Sequence, residues 1–310
     1  MVTPINWNQI EDPKDLEVWN RLTANFWIDT KVPVSNDLKS WNRLTKVEQD
    51  VVKKVFASLT VLDTLQSETG APTLATFADT QHAQAVFNNM AFMESVHAKS
   101  YSSIFSTFCS TDEIDKLFRW AIQDDLLQSQ AASIRDHYEI GGAASAYSGA
   151  VILESLLFYS GFYAPLRFAS EGELTNTADM IRLIMRDEGV HGYYTGYKYQ
   201  KLFSSADRNE RISKIVGSFV EVELLRAEQI YDDIGWTEDV KMFIRYNANK
   251  TLANMGIEPL YSPEETDIPA YILAALDVGT GETHDFFSGS GASYVMGTQE
   301  ETMEEDWDWE

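Results

Sequence analysis

Residues 93–101 read Met93-Glu94-Ser95-Val96-His97-Ala98-Lys99-Ser100-Tyr101. Spaced three and then four apart, Glu94, His97 and Tyr101 fall on one face of a helix within about two turns. Phe87, Met90, Ile104, Phe105 and Phe108 lie on the same stripe. A carboxylate and an imidazole aimed into an apolar interior lose their hydration and need a compensating partner. A metal ion meets that need if other segments bring further ligands.

Three other segments bring them. A helical pattern from about Lys46 to Thr69 carries Val52, Phe56 and Leu59 on one stripe, and the next position on it is Asp63. A pattern from about Ala143 to Phe168 sets Glu154 among Val151, Phe158 and Phe162. A third, from about Asn176 to Phe203, aligns Ile181, Ile184, Glu188 and His191. Of the five histidines, His97 and His191 each stand three residues after a glutamate. Asp63 precedes Glu94 by 31 residues and Glu154 precedes Glu188 by 34, so one unit occurs twice: a helix with a single inward carboxylate, then a helix with Glu-x-x-His. That is the ligand plan of dinuclear carboxylate centres in ferritin-like bundles. Four carboxylates balance two divalent ions bridged by oxygen, and oxygen donors with two imidazoles suit iron or manganese. Solvated acids would not sit on the apolar stripe of four separate helices.

The bulk composition agrees with a helical metal protein and excludes several alternatives. The chain has 310 residues, 44% of them hydrophobic, and a formal net charge of -24 from 48 acids and 24 bases. Such an excess argues against nucleic acid and against an anionic membrane surface. Cys109 is the only cysteine, so neither an internal disulfide nor a thiolate zinc site is available. With no basic leader followed by an apolar run, the expected location is cytoplasmic. Further helices are expected from Asp12-Pro13 to Phe26, Asp79 to Cys109, Ser110 to Glu139, Arg208 to Ile234 and Asp239 to Met255, with Gly70-Ala71-Pro72 as a stop. No strand pattern appears. The expected architecture is an all-α, ferritin-like helical bundle over residues 1–285 and a flexible tail over 286–310. The last eleven residues, Glu300 to Glu310, hold seven acids with Trp307 and Trp309 and cannot build a core.

Tyr101 separates functions within this class. By position alone it is either an aromatic core filler, the usual role for one of 14 tyrosines, or a phenol that the metals oxidise. Phe158, Phe162 and Ile184 are placed to line a dry pocket around such a radical. Three readings follow: a radical generator, a two-electron dimetal oxidase or hydroxylase, and a non-catalytic ferritin-like metal binder.

The segments MESVHAKSYSSIFSTF, LTVLDTLQSETGAP and MRDEGVHGYYTGYKYQ closely resemble the small, radical-generating subunit of class Ib ribonucleotide reductase. ANFWIDTKVPVSND, YNANKTLANMG and FFSGSGASYVMG resemble it as well, so the resemblance spans essentially the whole chain. It implies that Asp63, Glu94, His97, Glu154, Glu188 and His191 bind two manganese or two iron ions and that Tyr101 holds the stable radical. It further implies a path to a large subunit that reduces ribonucleoside diphosphates. Trp27 matches the inner tryptophan of that path, Asp187 the carboxylate joining it to a ligand histidine (His97 by analogy), and Tyr294 the bridging tyrosine. The acidic tail would dock the large subunit. Where the family commonly ends Asp-Trp-Asp-Phe, this chain ends Asp306-Trp307-Asp308-Trp309-Glu310. A homodimer and a flavodoxin-like activator of the manganese form are also implied.

Overall fold

The computed structural model describes residues 2–276, and among these every regular element is helical. In chain order the α-helices are α1 (Pro13–Ala24), α2 (Leu38–Trp41), α3 (Lys46–Leu65), α4 (Ala71–Thr76), α5 (Gln81–Phe108), α6 (Thr111–Gln123) and α7 (Asp125–Glu139). They continue as α8 (Gly142–Ile152), α9 (Phe158–Ser170), α10 (Thr175–Phe203), α11 (Ala206–Tyr231), α12 (Thr237–Asn254) and α13 (Ala270–Leu276). His284, Tyr294, the acidic terminus and the boundary expected at residue 285 lie outside the described residues.

Local chemistry starts the long helices where the sequence suggests. Thr45 and Glu48 form a capping box at α3, each side chain bonding the other's backbone N–H, and Ser110 and Glu113 do the same at α6. Asp12 caps α1, with Pro13 in the first turn where a missing N–H costs nothing.

Two expectations are corrected. The helix expected from Ser110 to Glu139 is two, because Asp124 is extended (φ -75°, ψ 107°) and its carboxylate caps Leu127 at the start of α7. That carboxylate also accepts from Arg226 and Gln229 on α11, which fixes the break. Gly70-Ala71-Pro72 does not stop a helix. The chain passes from α3 through a π-turn, Gln66–Gly70, directly into α4, and Pro72 falls in the first turn of α4.

The core is built from α3 packed on α5 and the α8–α9 run packed on α10, with α11 and α12 outside. A second π-turn, Leu153–Leu157, joins α8 to α9. The continuous stretch Gly142–Ser170 has a mean hydropathy of 1.3 over an 18-residue window and would pass for a membrane span by length and composition. Here it is the central helix of the bundle, with 89% of that window buried.

Candidate metal centre

Four elements deliver six side chains to the middle of the bundle. The last turn of α3 supplies Asp63, α5 supplies Glu94 and His97, the π-turn between α8 and α9 supplies Glu154, and α10 supplies Glu188 and His191. None of the six exceeds 1% exposure. Their donor atoms form two groups, Asp63–Glu94–His97–Glu188 and Glu94–Glu154–Glu188–His191, each with all ligand atoms within 4.8 Å of one another.

The two groups share Glu94 and Glu188. The Glu94 Oε1 atom lies 2.8 Å from His191 Nδ1, and its Oε2 lies 3.5 Å from His97 Nδ1. Glu188 straddles in the same way, with Oε1 3.0 Å from His97 Nδ1 and Oε2 3.2 Å from His191 Nδ1. Asp63 belongs only to the first group, 3.7 Å from His97 Nδ1, and Glu154 only to the second, 3.5 Å from His191 Nδ1. The glutamates of the two Glu-x-x-His motifs therefore stand between the subsites, and the single inward acids stand at the ends.

The electrostatics identify a cation site. Both oxygens of Asp63 and of Glu94, Oε2 of Glu154, Oε1 of Glu188 and Nδ1 of His97 have no hydrogen-bond partner although they are buried. Orphaned acceptors at this density are costly unless a cation receives them. Burial, reinforced by the Glu94 charge, pushes the Asp63 and Glu154 carboxyls well above their usual range. For His97, burial acts downward, but the charges of Glu188 and Glu94 overcome it and raise the imidazole well above its ordinary value. Glu188 moves the opposite way: burial raises it, but the neighbouring histidines hold it low. Four carboxylates facing two imidazoles match two divalent cations in charge and donor type. A buried dimetal-binding carboxylate and histidine cluster is present.

The surroundings orient the ligands. Asp187 Oδ2 accepts from Trp27 Nε1 at 2.7 Å and lies 3.2 Å from His97 Nε2. His97 thus donates from Nε2 and presents Nδ1 to the cluster, the tautomer a ligand requires. The Trp27 and His97 rings are stacked with centroids 5.9 Å apart. Tyr101 is fully buried, its hydroxyl has no hydrogen-bond partner, and its ring lies 5.6 Å from that of Phe56. Burial raises its pKa well above 10, and among the carboxylates Asp63 acts on it most. Phe158, Phe162 and Ile184 are fully buried in the same core.

Sequence reasoning overlooked two neighbours. Gln66 Nε2 donates to Glu154 Oε1 at 2.5 Å, and Tyr138 on α7 donates to Gln66 Oε1 at 2.6 Å. Gln66 stands three residues after Asp63, a spacing that signals the same helix face. Nothing near Tyr138 in sequence signals its place.

Comparison with known proteins agrees with this geometry. The family model for ribonucleotide reductase, small chain, matches residues 4–269. This chain belongs to that family. It is 51% identical over 313 residues to ribonucleoside-diphosphate reductase subunit beta nrdF1 of Mycobacterium tuberculosis, covering 99% of this chain and 97% of the relative. It is also 51% identical over 312 residues to ribonucleoside-diphosphate reductase 2 subunit beta of Escherichia coli, with coverage of 99% and 98%. A crystal structure of Streptococcus sanguinis dimanganese(II)-NrdF superposes with a TM-score of 0.85 at 45% identity, covering 89% of this chain and 100% of that one. The small subunit is therefore an oxidoreductase component of a class I ribonucleotide reductase. It generates and holds a radical through its dimetal centre and acts with a large subunit. Family membership sets aside the oxidase, hydroxylase and storage readings.

Proposed function

We propose that this chain is a class Ib small subunit in which Asp63, Glu94, His97, Glu154, Glu188 and His191 hold two metal ions and Tyr101 carries the radical. When bound, manganese or iron supplies the one-electron oxidising power. Each of the protein's own groups then has a part derived from its surroundings. Glu94 and Glu188 face both subsites with one oxygen each, which suits them to bridge. The buried Tyr101 phenol is stabilised neither as phenolate nor as a cation, so its oxidation to a neutral radical would give its electron to the metal pair and its proton to a base beside it, Asp63 being the carboxylate that acts on it most. Its fully buried setting excludes the water and small reductants that would quench it.

The continuous contact Trp27–Asp187–His97 supports a route by which the oxidising equivalent leaves the site. On this reading Asp187 is both the acceptor that orients His97 and the link to Trp27. Residues 1–285 form the metal-holding body. Residues 286–310 dock the large subunit, with Tyr294 as the bridging phenol. The resemblance to class Ib proteins further supports a cytoplasmic homodimer activated by a flavodoxin-like protein.

The observation that carries this reading is the unpartnered Tyr101 hydroxyl, buried beside a cluster of unpartnered metal-type ligands. Metal loading and activation should yield a tyrosyl signal by electron paramagnetic resonance. In Tyr101→Phe that signal should vanish while two metals per chain remain. A tyrosyl signal that survives the substitution refutes the assignment.

A further inference from the structure

The six ligands are nearly symmetric in type, but their surroundings are not. Asp63, the end ligand of the first subsite, has both oxygens without a hydrogen-bond partner. Glu154, the end ligand of the second, has one oxygen in that condition; its other oxygen accepts from Gln66 Nε2 at 2.5 Å. The Gln66 amide is itself held, since Tyr138 donates to its Oε1 at 2.6 Å. Only one orientation of the amide serves both neighbours, because a carboxylate accepts and this phenol donates. All three side chains are at most 2% exposed, so water does not compete for these bonds.

Gly70 completes the arrangement. It ends the π-turn that begins at Gln66. A Cβ on Gly70 would fall 1.8 Å from Gln66 Oε1, 2.8 Å from its Cδ and 2.8 Å from Tyr138 Cζ. The backbone there (φ -64°, ψ -69°) is ordinary right-handed helix, so backbone freedom does not require a glycine. Space for the Gln66–Tyr138 pair does.

We propose that Gln66, braced by Tyr138 and given room by Gly70, is a positioning residue that confines Glu154 to a single ligating oxygen. Asp63 keeps both oxygens available, so the second subsite would offer a metal one protein oxygen fewer than the first. The inference rests on the metal-binding reading of the site. It concerns how one ligand is held and does not depend on which metal is used.

The test uses the full-length chain, stripped of metal and titrated with Mn(II), with calorimetric affinities and the low-temperature paramagnetic resonance spectrum of the dimanganese(II) form. Gln66→Leu removes the donor at similar volume. Tyr138→Phe keeps the ring and removes only the brace. Gly70→Ala touches neither hydrogen-bonding group but occupies their space. All three release Glu154 Oε1 and should change Mn(II) affinity at the Glu154 subsite by about 10–100-fold, the scale of outer-sphere effects, with the Asp63 subsite binding as in the wild type. The exchange-coupled spectrum should change in the same three variants, a response that loss of packing alone does not produce. An equal change at both subsites, or affinities and spectra matching the wild type, overturns the proposal and leaves the metal site standing. A wild-type chain that fails to bind two ions overturns both. Should Gln66→Leu fail to fold, Tyr138→Phe decides, because it leaves the core volume intact.

Discussion

Lys198 offers the sharpest test of how the bundle holds its N-terminal segment. Its side chain is fully buried on α10, and Nζ lies 2.9 Å from Asp12, 2.7 Å from Asp15 and 2.8 Å from Asp79. Asp15 also accepts from Tyr194 and Thr80, so the cluster joins α1, the entry to α5, and α10. In Lys198→Met the shape is largely kept and the charge removed. Lys201 still pairs with Asp12 at 2.8 Å, but the buried Asp15 loses its cation. Removing one member of a buried ion pair costs about 3–5 kcal/mol, and the surviving Lys201 contact favours the lower figure. At about 2–4 °C per kcal/mol for a chain of this size class, 3 kcal/mol lowers Tm by about 6–12 °C.

The pH dependence of that difference follows from the same groups. Burial acts to lower the Lys198 pKa, but hydrogen bonds to Asp15, Asp79 and Asp12 raise it above 10.5. Its contribution is complete below the unfolded value, about 10.4, and is lost as pH rises through the folded one. Burial acts to raise Asp12, but Lys201 and Lys198 bring it below the ordinary aspartate range. Its contribution is complete above about 3.9 and is lost as pH falls through the folded value. The gap between wild type and variant is therefore widest from about pH 4 to pH 10 and narrows on either side. Differential scanning calorimetry across that range checks it. A Tm change under about 2 °C at pH 7, or a gap that widens in acid, refutes the reasoning.

Two further substitutions probe other parts of the frame. Asp124→Ala removes the α7 cap, about 1 kcal/mol, and the charged hydrogen bonds from Arg226 and Gln229, about 1.5–3 kcal/mol; thermal unfolding should begin at least about 5 °C lower. Asp187→Asn keeps an acceptor for one of its two partners and loses the charge between Trp27 and His97. Turnover with the large subunit should fall about 10–100-fold, and the Tyr101 radical signal should persist after activation.

The repeated spacing of inward acids and Glu-x-x-His pairs made the bundle legible, because a buried carboxylate on an apolar stripe is a conspicuous violation of helical patterning. Asp63, Glu94, Glu154 and Glu188 were visible for that reason. The break at Asp124 was not, since the Arg226 and Gln229 that fix it stand about a hundred residues further along the chain. The π-turns were hidden because one extra residue per turn disturbs the apolar period too little to see. Gln66 passed unnoticed for a related reason: a polar residue near a helix end reads as solvent-facing until its partner is known. Tyr138 reaches the site only through tertiary packing. The sharing of Glu94 and Glu188 between subsites is likewise a fact of three dimensions, set by how α5 faces α10.

The apolar run Gly142–Ser170 has a consequence for how the chain is made. Its covering partner, α10, ends at Phe203, 33 residues further on. At about 5–20 residues per second, a ribosome exposes the run for about 2–7 s before the whole of that cover has been synthesised. During that interval a segment apolar enough for a lipid bilayer emerges with α1 to α7 and only part of α10 available to shield it. The run that is dry in the finished bundle is, in the nascent chain, an apolar surface open to membrane-targeting factors and to aggregation, and the helices already made that can cover it are α7 and α3, which pack on α8 and α9 in the finished fold.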